Sequence, residues 1–484
     1  DQMAIHVPLS REAQQEAFDL MISTKNILSP RDATVLSIPV QDIVVGHYFL
    51  TSEQAPADFI AQQKEAEERG DAVEAERFAG YAVADGHVFR DFDEVMRAYD
   101  AHVVHMNNRI AIPAAALHKS SFTSEQQHSF LITTVGKLIF NNMFPEDFPY
   151  INDAPSHSKG SFVKAFDSWF VPMGTDIKAY LKDHWNQLQP VSKKELATII
   201  NELFRRYHAT RTALLLDRIK DTGYYYCTKL GLTISITDID PLPGREKVIA
   251  DADKDVEQIQ ENFDEGLLTP DQRHSAIIKR WTAAKDTVTS MVGDYMRANP
   301  RNPVFMMARS GARGSINNFV QLIGIRGLMS GPNGKILEIP VKDSFRDGMD
   351  VSEYFIATHG ARKGSTDTAL KTADSGYLTR RLVDVSHAVV IKEEDCGADR
   401  GFWVRHVVDS DGKEVVSVSQ RCLGRFAAHD ILDKDGKLII AGNNFIDEAA
   451  AAKIAAAGLE TVEIRSLLTC LSEDGVCIHC YGHN

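Results

Sequence analysis

Three thiols crowd a short stretch near the C-terminal end, Cys470, Cys477 and Cys480, in the spacing C-x6-C-x2-C. A C-x2-C pair folds into a knuckle that aims two sulfurs at one cation, and Gly475 offers the turn by which Cys470 folds back to join them. A structural zinc ion takes four ligands in a tetrahedron. Cys396, in Asp395–Cys396–Gly397, is the best remote thiol for the fourth place, with His479 and His483 as local rivals. A set made wholly of thiolates leaves no open position for water, so an ion held there staples a fold and does not catalyse. The bland alternative is a group of free buried thiols; Cys227 and Cys422 read that way, as small core residues.

A second constellation is basic. Between Pro300 and Arg346 there are seven Lys or Arg and only two acidic residues, so the stretch reverses the sign of its surroundings. It also carries Gly311, Gly314, Gly324, Gly327, Gly331 and Gly334. Such chain suits close approach of backbone to a phosphate or to another chain, although most basic glycine-rich loops are plain loops. Val351–Ser386 then runs without proline and as a helix spans roughly 54 Å. Its Gly360, Gly364 and Gly376 each cost up to about 1 kcal/mol against Ala, so the helix is bendable or packed closely on a backbone or ligand. Arg362, Lys363, Lys371, Arg380 and Arg381 interleave with Thr368, Thr372, Ser375, Tyr377 and Thr379, and no apolar stripe runs its length. A polar connecting helix is the competing reading.

The elements that must position these groups belong to an ordinary globular chain. Its 484 residues are a soft prior for about three domains. With 44% hydrophobic and 25% charged residues it is neither disordered nor of low complexity. The net charge of −14 makes the whole molecule no counterion for DNA or RNA, so nucleic-acid contact must come from local basic islands. No stretch reaches the ~18 apolar residues of a membrane span, and Asp1–Gln2–Met3–Ala4–Ile5–His6 opens no secretory signal. Cysteine is too sparse for a disulfide scaffold, which points to a reducing, cytoplasmic address. The missing initiator Met points to a processed chain or a part of something larger.

Residues 1–52 mix β-like runs (Met3–Val7, Thr34–Pro39, Ile43–Leu50) with a helical stretch around Glu12–Met21. Glu53–Gly80 is charged and rich in Ala and Glu, a surface helical insertion. Leu196, Ile199, Ile200, Leu203 and Phe204 recur at helical spacing and predict a helix over 193–229. Leu232–Ile239 alternates with period two and reads as a strand. Val256, Ile259 and Phe263 precede a break at Gly266; Thr269–Pro270–Asp271–Gln272 then supplies an N-cap, a first-turn Pro and a capping box. Ile277, Trp281, Ala284, Val288, Met291 and Tyr295 follow at coiled-coil spacing. The two helices predict an antiparallel hairpin, and eleven acidic against eight basic residues between Arg245 and Arg297 make it an acidic prong. Residues 389–480 are rich in short strands and turns around a helix at Glu448–Ala457.

Phe305–Met306–Met307–Ala308–Arg309–Ser310–Gly311–Ala312–Arg313–Gly314–Ser315, followed by Arg326–Gly327–Leu328–Met329, resembles the largest subunit of multisubunit RNA polymerases, in its bacterial β′ form. Tyr354–Phe355–Ile356–Ala357–Thr358–His359–Gly360–Ala361–Arg362–Lys363–Gly364 and its continuation Asp367–Thr368–Ala369–Leu370–Lys371–Thr372–Ala373 carry the same resemblance, which covers essentially the whole chain. It implies an α+β multi-module fold. Residues 1–52 would end a catalytic β-barrel, and 53–240 would form a pore or funnel module with a helical insertion. The hairpin at 241–299 would be the rim helices of the secondary channel, and 300–350 a glycine-rich segment with the F-loop at 324–335. Residues 351–386 would be the bridge helix, and 387–484 a β-rich module stapled by zinc.

The resemblance also implies roles. Thr372 and Ala373 match residues that lie against the template base at the insertion site. Tyr377, Arg380 and Arg381 match positions near the template strand, with Arg362, Lys363 and Lys371 as further nucleic-acid contacts. Arg313 matches an arginine placed to meet the incoming triphosphate. Cys396, Cys470, Cys477 and Cys480 match all four ligands of the family's second zinc site. Asp1 matches the last of three aspartates that hold the catalytic magnesium ion. The implied chemistry is DNA-directed RNA synthesis by in-line attack of the RNA 3′ oxygen on the α-phosphate of a nucleoside triphosphate.

The implied partners are the remaining β′ segments, the β subunit, the α dimer, ω, a σ-type factor, DNA, RNA, nucleoside triphosphates and secondary-channel regulators. The implied place is the cytoplasm, at the nucleoid, with no membrane. Holding one magnesium carboxylate of three, and lacking the family's trigger loop, the chain is expected to be inactive alone. It would be a piece of a split subunit, a product of intein-site cleavage or an engineered fragment. A zinc-stapled nucleic-acid-binding scaffold that has lost the chemistry is the alternative. A free-standing zinc hydrolase is disfavoured by the closed thiolate set and the lack of an HExxH motif.

Overall fold

The computed structural model describes residues 6–29, 35–154, 167–331, 333–387, 389–409, 414–433, 436–473 and 475–482. The chain divides into a larger unit, Gln14–Leu28 with Val35–Lys363, and a smaller one that holds the remainder, including Gly364 onward, so one of the boundaries falls inside the long helix.

The larger unit is organised by the helix Lys193–Leu230, against which the helix Asp42–Thr51 lies. Leu196, Ile199, Ile200, Leu203, Leu215 and Ile219 bury one face against Val44, Leu50, Phe140 and Phe148. Two glycines let the helices touch. A Cβ on Gly46 would lie 2.0 Å from the carbonyl oxygen of Gly223, a separation no side chain tolerates. The long helix is two helices joined at His208, whose φ of 57° and ψ of −172° leave the helical region. Ile43–Leu50 is therefore helical and not a strand. Its run of apolar residues fits a helix buried on nearly all sides, and periodicity cannot separate that from a buried strand.

Beside this pair stands a four-stranded sheet in the order His87–Val88, Arg109–Pro113, Ser129–Thr134, Phe170–Pro172. The first pairing is parallel and the others antiparallel. The charged insertion forms two helices, Pro56–Arg69 and Ala72–Val83, separated by Gly70 at φ +79°. Leu232–Ile239 is no strand: a short 3-10 turn at Ile236–Asp238 is its one regular feature. Ile234 and Ile236 are exposed and no neighbouring edge accepts them, so the alternation has nothing to pair with.

The hairpin is present as Arg245–Asp264 and Pro270–Ala298. Thr269 Oγ1 accepts from the Gln272 N–H at 3.3 Å while Gln272 Oε1 accepts from the Thr269 N–H at 3.0 Å, the reciprocal cap that starts the second helix. Its buried stripe continues from Val288 to Val292 and Met296, leaving Met291 and Tyr295 at the flank. That lower half packs on Phe305, Phe319, Val320 and Ile323.

The smaller unit contains the β-rich module. Its core gathers Val404, Val418, Cys422, Ile446, Ile454, Val462 and Ile464 around the helix Glu448–Ala457. Its strands pair only two by two. Among the described residues there is no closed barrel, and the described part of 1–52 contributes the helices Arg11–Glu16 and Asp42–Thr51 and no strand. No described helix is long and apolar enough to cross a membrane.

Candidate functional site

The four cysteines converge. Cys396, Cys470, Cys477 and Cys480 place their sulfurs within 4.8 Å of one another. Cys396 Sγ lies 3.7 Å from both Cys480 Sγ and Cys470 Sγ. A tetrahedron of sulfurs about 2.3 Å from a central zinc has edges of about 3.8 Å, so the cluster has the size that this ion requires. The pairing of Val476–Cys477 with Ile391–Glu393 brings the knuckle alongside the segment that carries Cys396. Gly475, at φ +85°, must be glycine, because a Cβ there would meet the carbonyl oxygen of Val390 at 2.2 Å. Backbone N–H groups point at the sulfurs: Leu471 donates to Cys396 at 3.4 Å and Cys480 to Cys477 at 3.3 Å.

The electrostatics divide the thiols: Cys470 and Cys396 are held low, whereas burial pushes Cys480 up despite the Arg465 guanidinium beside it. Burial pushes the Cys470 thiol up, but hydrogen bonding with Ser472 and with the backbone outweighs it and holds the group down at about 6. Burial likewise raises Cys396, which N–H donors from Leu471 and Ala398 bring below its usual value. His479 is no ligand. Its Nδ1 lies 2.8 Å from Asn443 Oδ1 and its ring stacks on Phe426 with centroids 4.3 Å apart. His483 lies outside the described residues, as does Asp1. Cys422 is a buried core residue, and Cys227 is half-buried.

The second set of groups lines one continuous helix, Val351–Ser386, of which Ala357 alone is buried. Thr372 is exposed, and its hydroxyl donates to the Thr368 carbonyl at 2.7 Å, leaving only a methyl and a satisfied oxygen on the surface. Ala373 is exposed beside it. At 3.6 residues per turn, Ser365, Ala369, Thr372, Ala373 and Gly376 share one face, with Arg362 and Arg380 on that face at either end, about 27 Å apart. The arrangement is a shallow saddle of small residues between two cations. Arg381 stacks on the Tyr377 ring at 4.4 Å, and Lys371 faces Asp367 at 3.9 Å. Lys363 is exposed on the opposite side.

Near its start this helix rests on the glycine-rich segment. Gly327 pairs with Val341 and Ser330 with Ile336, making a narrow ribbon. Met329 from that ribbon lies against Gly360, where a Cβ would come within 2.6 Å of the Met329 Cε. The ribbon is tied to the hairpin by Glu338, which accepts from Arg273 at 2.9 Å and faces His274 Nδ1 at 3.0 Å. Arg313 is exposed on a loop turned by Gly311 and Gly314, both at positive φ, and lines a groove with Gln41, Asp42, Thr228 and Met307.

Sequence reasoning missed the groups around the sulfurs, Asp395, Asn443 and Arg465, and the Arg273–Glu338–His274 cluster. Asp395 had a signal in its adjacency to Cys396. Arg465, five residues before Cys470 and close to charged Glu463, and Asn443 had none, since only the fold brings them to the thiols.

Three family models match consecutive parts of the chain: RNA polymerase Rpb1, domain 3, over residues 26–239; domain 4 over 257–353; and domain 5 over 348–456. Among curated relatives, the DNA-directed RNA polymerase subunit beta' of Enterococcus faecalis is 44% identical over 486 aligned residues, covering 100% of this chain and 37% of that protein. The subunits of the same description from Halalkalibacterium halodurans and Bacillus anthracis are each 43% identical, again over the whole chain and 38% of the relative. The chain thus spans less than two fifths of the length of the relatives it matches.

Proposed function

The chain belongs to the RNA polymerase Rpb1 family, matching the middle portion of bacterial β′ subunits, and from that premise we propose that it contributes the bridge helix and flanking modules to DNA-templated RNA synthesis. The observation that carries this reading is the helix Val351–Ser386. A helix of this length that buries one residue of its own chain, and presents a small-residue saddle between arginines, is built to be covered by something else. A flat base pair fits the saddle at Thr372 and Ala373, and phosphates fit Arg362, Arg380 and Arg381. Tyr377, Lys363 and Lys371 add an aromatic face and further cations for a strand that passes along the helix.

In this reading 241–299 are the rim helices of a nucleotide entry channel, 324–335 the F-loop that supports the bridge helix through Met329, and Arg313 a contact for the incoming triphosphate. Asp1 is a ligand of the catalytic magnesium. That ion, when bound, stabilises charge on the transferring phosphoryl group. The chain's own task is to hold the templating base in line and keep the site shaped. The four cysteines hold a structural zinc that staples the module at 387–484. The working enzyme is an assembly with β, α, ω and σ-type subunits in the cytoplasm, at the nucleoid.

The test is Ala373→Leu. Ala373 is exposed, so the substitution leaves the thermal transition of the chain where it was, while the leucine occupies the saddle. In an assembled polymerase containing the chain, we expect nucleotide addition to fall at least tenfold, read by single-nucleotide extension of an RNA primer. An unchanged extension rate with normal assembly would falsify the bridge-helix assignment.

A further inference from the structure

The thiol cluster is roofed by a buried cation. Arg465 is 4% exposed, and its Nη2 donates to Asp395 Oδ1 at 2.6 Å. The same nitrogen lies 3.4 Å from Cys396 Sγ, 3.5 Å from Cys480 Sγ and 3.9 Å from Cys477 Sγ. Nη1 donates to Asn443 Oδ1 at 3.3 Å, and Asn443 Nδ2 donates to Asp395 Oδ2 at 2.7 Å. The Arg465 N–H is fixed to the Phe426 carbonyl at 2.8 Å, and Phe426 is the ring on which His479 stacks. Nε is buried without a partner.

A surface ion pair with Asp395 would not require this placement. The Asp395 side chain is partly exposed and could be met by an arginine at the surface, free of the cost of burial. Instead the guanidinium is held inside, with its Nη2 end turned to three sulfurs. Four thiolates carry more negative charge than one divalent ion cancels, and that excess is costly in a buried site. A planar donor that cannot lose its proton is suited to offset it, because each N–H···S contact withdraws charge from a ligand without competing for the metal. Asp395 and Asn443 fix the guanidinium, and the Phe426 carbonyl fixes the backbone that carries it, so that the group need not be ordered when the ion binds.

We propose that Arg465 is the positioning residue of this metal centre: one Nη2 N–H goes to Asp395 and the other is shared among the sulfurs of Cys396, Cys480 and Cys477, where the cation offsets their charge and retains the ion. The proposal rests on the reading that the four cysteines hold zinc, and the test separates the two. The full chain and Arg465→Met are loaded with zinc, their metal content is measured by elemental analysis, and transfer of zinc to a chelator is followed with a metal-sensitive dye. We expect one zinc per chain in both, with release from Arg465→Met about 10- to 100-fold faster. Arg465→Lys, which keeps the charge and loses the planar fork, falls between them.

Equal release rates at one zinc per chain overturn the role of Arg465 and leave the metal site standing. Absence of zinc from the parent chain overturns the site itself. If Arg465→Met does not fold, Asp395→Asn carries the test, since it frees the guanidinium and spares every cysteine. Release several-fold faster than the parent supports the proposal, and release at the parent rate refutes it.

Discussion

Lys193–Leu230, two helices joined end to end at His208, and the single helix Val351–Ser386 cover 38 and 36 residues, yet their side chains answer to different partners. The first buries Leu196, Ile199, Ile200, Leu203, Leu215 and Ile219 in its own unit and touches a second helix backbone to backbone. The second buries Ala357 and keeps its remaining side chains at least partly accessible. Isolated helices are marginal in water, and most helices in proteins are held by packing. The first follows that rule. The second is the exception, and its composition shows what replaces packing: small residues, alternating cations and hydroxyls folded back on the helix, such as Thr368, Thr372 and Thr379. A helix that buries so little of its side-chain surface among the described residues is specified by what it must meet.

The sharpest way to break the comparison is to make the same small change in the helix Asp42–Thr51, which packs on the first, and in the exposed second helix. In Gly46→Ala the new methyl would lie 2.0 Å from the Gly223 carbonyl oxygen, and backbone cannot move aside as a side chain can. The two helices must separate, and we expect a loss of about 3 kcal/mol or more in urea unfolding of the larger unit. An unchanged midpoint would mean that this packed pair does not hold the unit together.

Acid should expose the same contrast. His47 and His105 sit in the packed unit, and burial lowers both to about 4 from an ordinary value near 6.5. The His47 Nε2 donates to the Ile219 carbonyl at 2.8 Å, and His105 is boxed by Phe49, Phe59 and Tyr81. As pH falls below about 6.5 the unfolded chain takes up protons that the folded chain refuses. Stability is therefore full above about pH 6.5 and is lost progressively down to about pH 4, where the folded imidazoles begin to charge. The slope is on the order of 1.4 kcal/mol per pH unit for each histidine. Unfolding midpoints measured from pH 7.5 to 4 should fall, and His105→Phe should flatten the curve. A variant curve parallel to the parent's would remove His105 from the account.

This contrast also decides how much could be read from residues alone. Helix 193–230 announces itself through Leu196, Ile199, Ile200 and Leu203, and the hairpin through Thr269–Pro270–Asp271–Gln272, because local caps and periodic burial are written in neighbouring positions. The four cysteines were legible for a similar reason, since few residue types bind metal and three lie close in sequence. Ile43–Leu50 was misread because a helix buried on nearly every side has no period to show. Leu232–Ile239 was misread because alternation predicts a strand only where an edge exists to pair with it. Arg465 and Asn443 were invisible because they reach the sulfurs through the pairing of Thr461–Ile464 with Phe402–Arg405 and the turn at Asn443, at φ +60°, both of which are properties of the folded module.

The smallest expected effect discriminates within the exposed helix itself. Gly364 has nothing within 4 Å of the position a Cβ would take, so Gly364→Ala gains helix propensity without a clash. That gain is at most about 1 kcal/mol. Gly360 lies four residues earlier on the same helix, but there a Cβ would come within 2.6 Å of the Met329 Cε. The thioether end is flexible and can shift, so Gly360→Ala should recover part of the propensity and lose part of the contact, leaving a change near zero. Hydrogen exchange along 351–386 would separate the two, with slower exchange expected around residue 364 in one variant and little change around 360 in the other. Equal protection in both variants would mean that Met329 bears no weight, and the glycine-rich ribbon could then not be the support on which this helix rests.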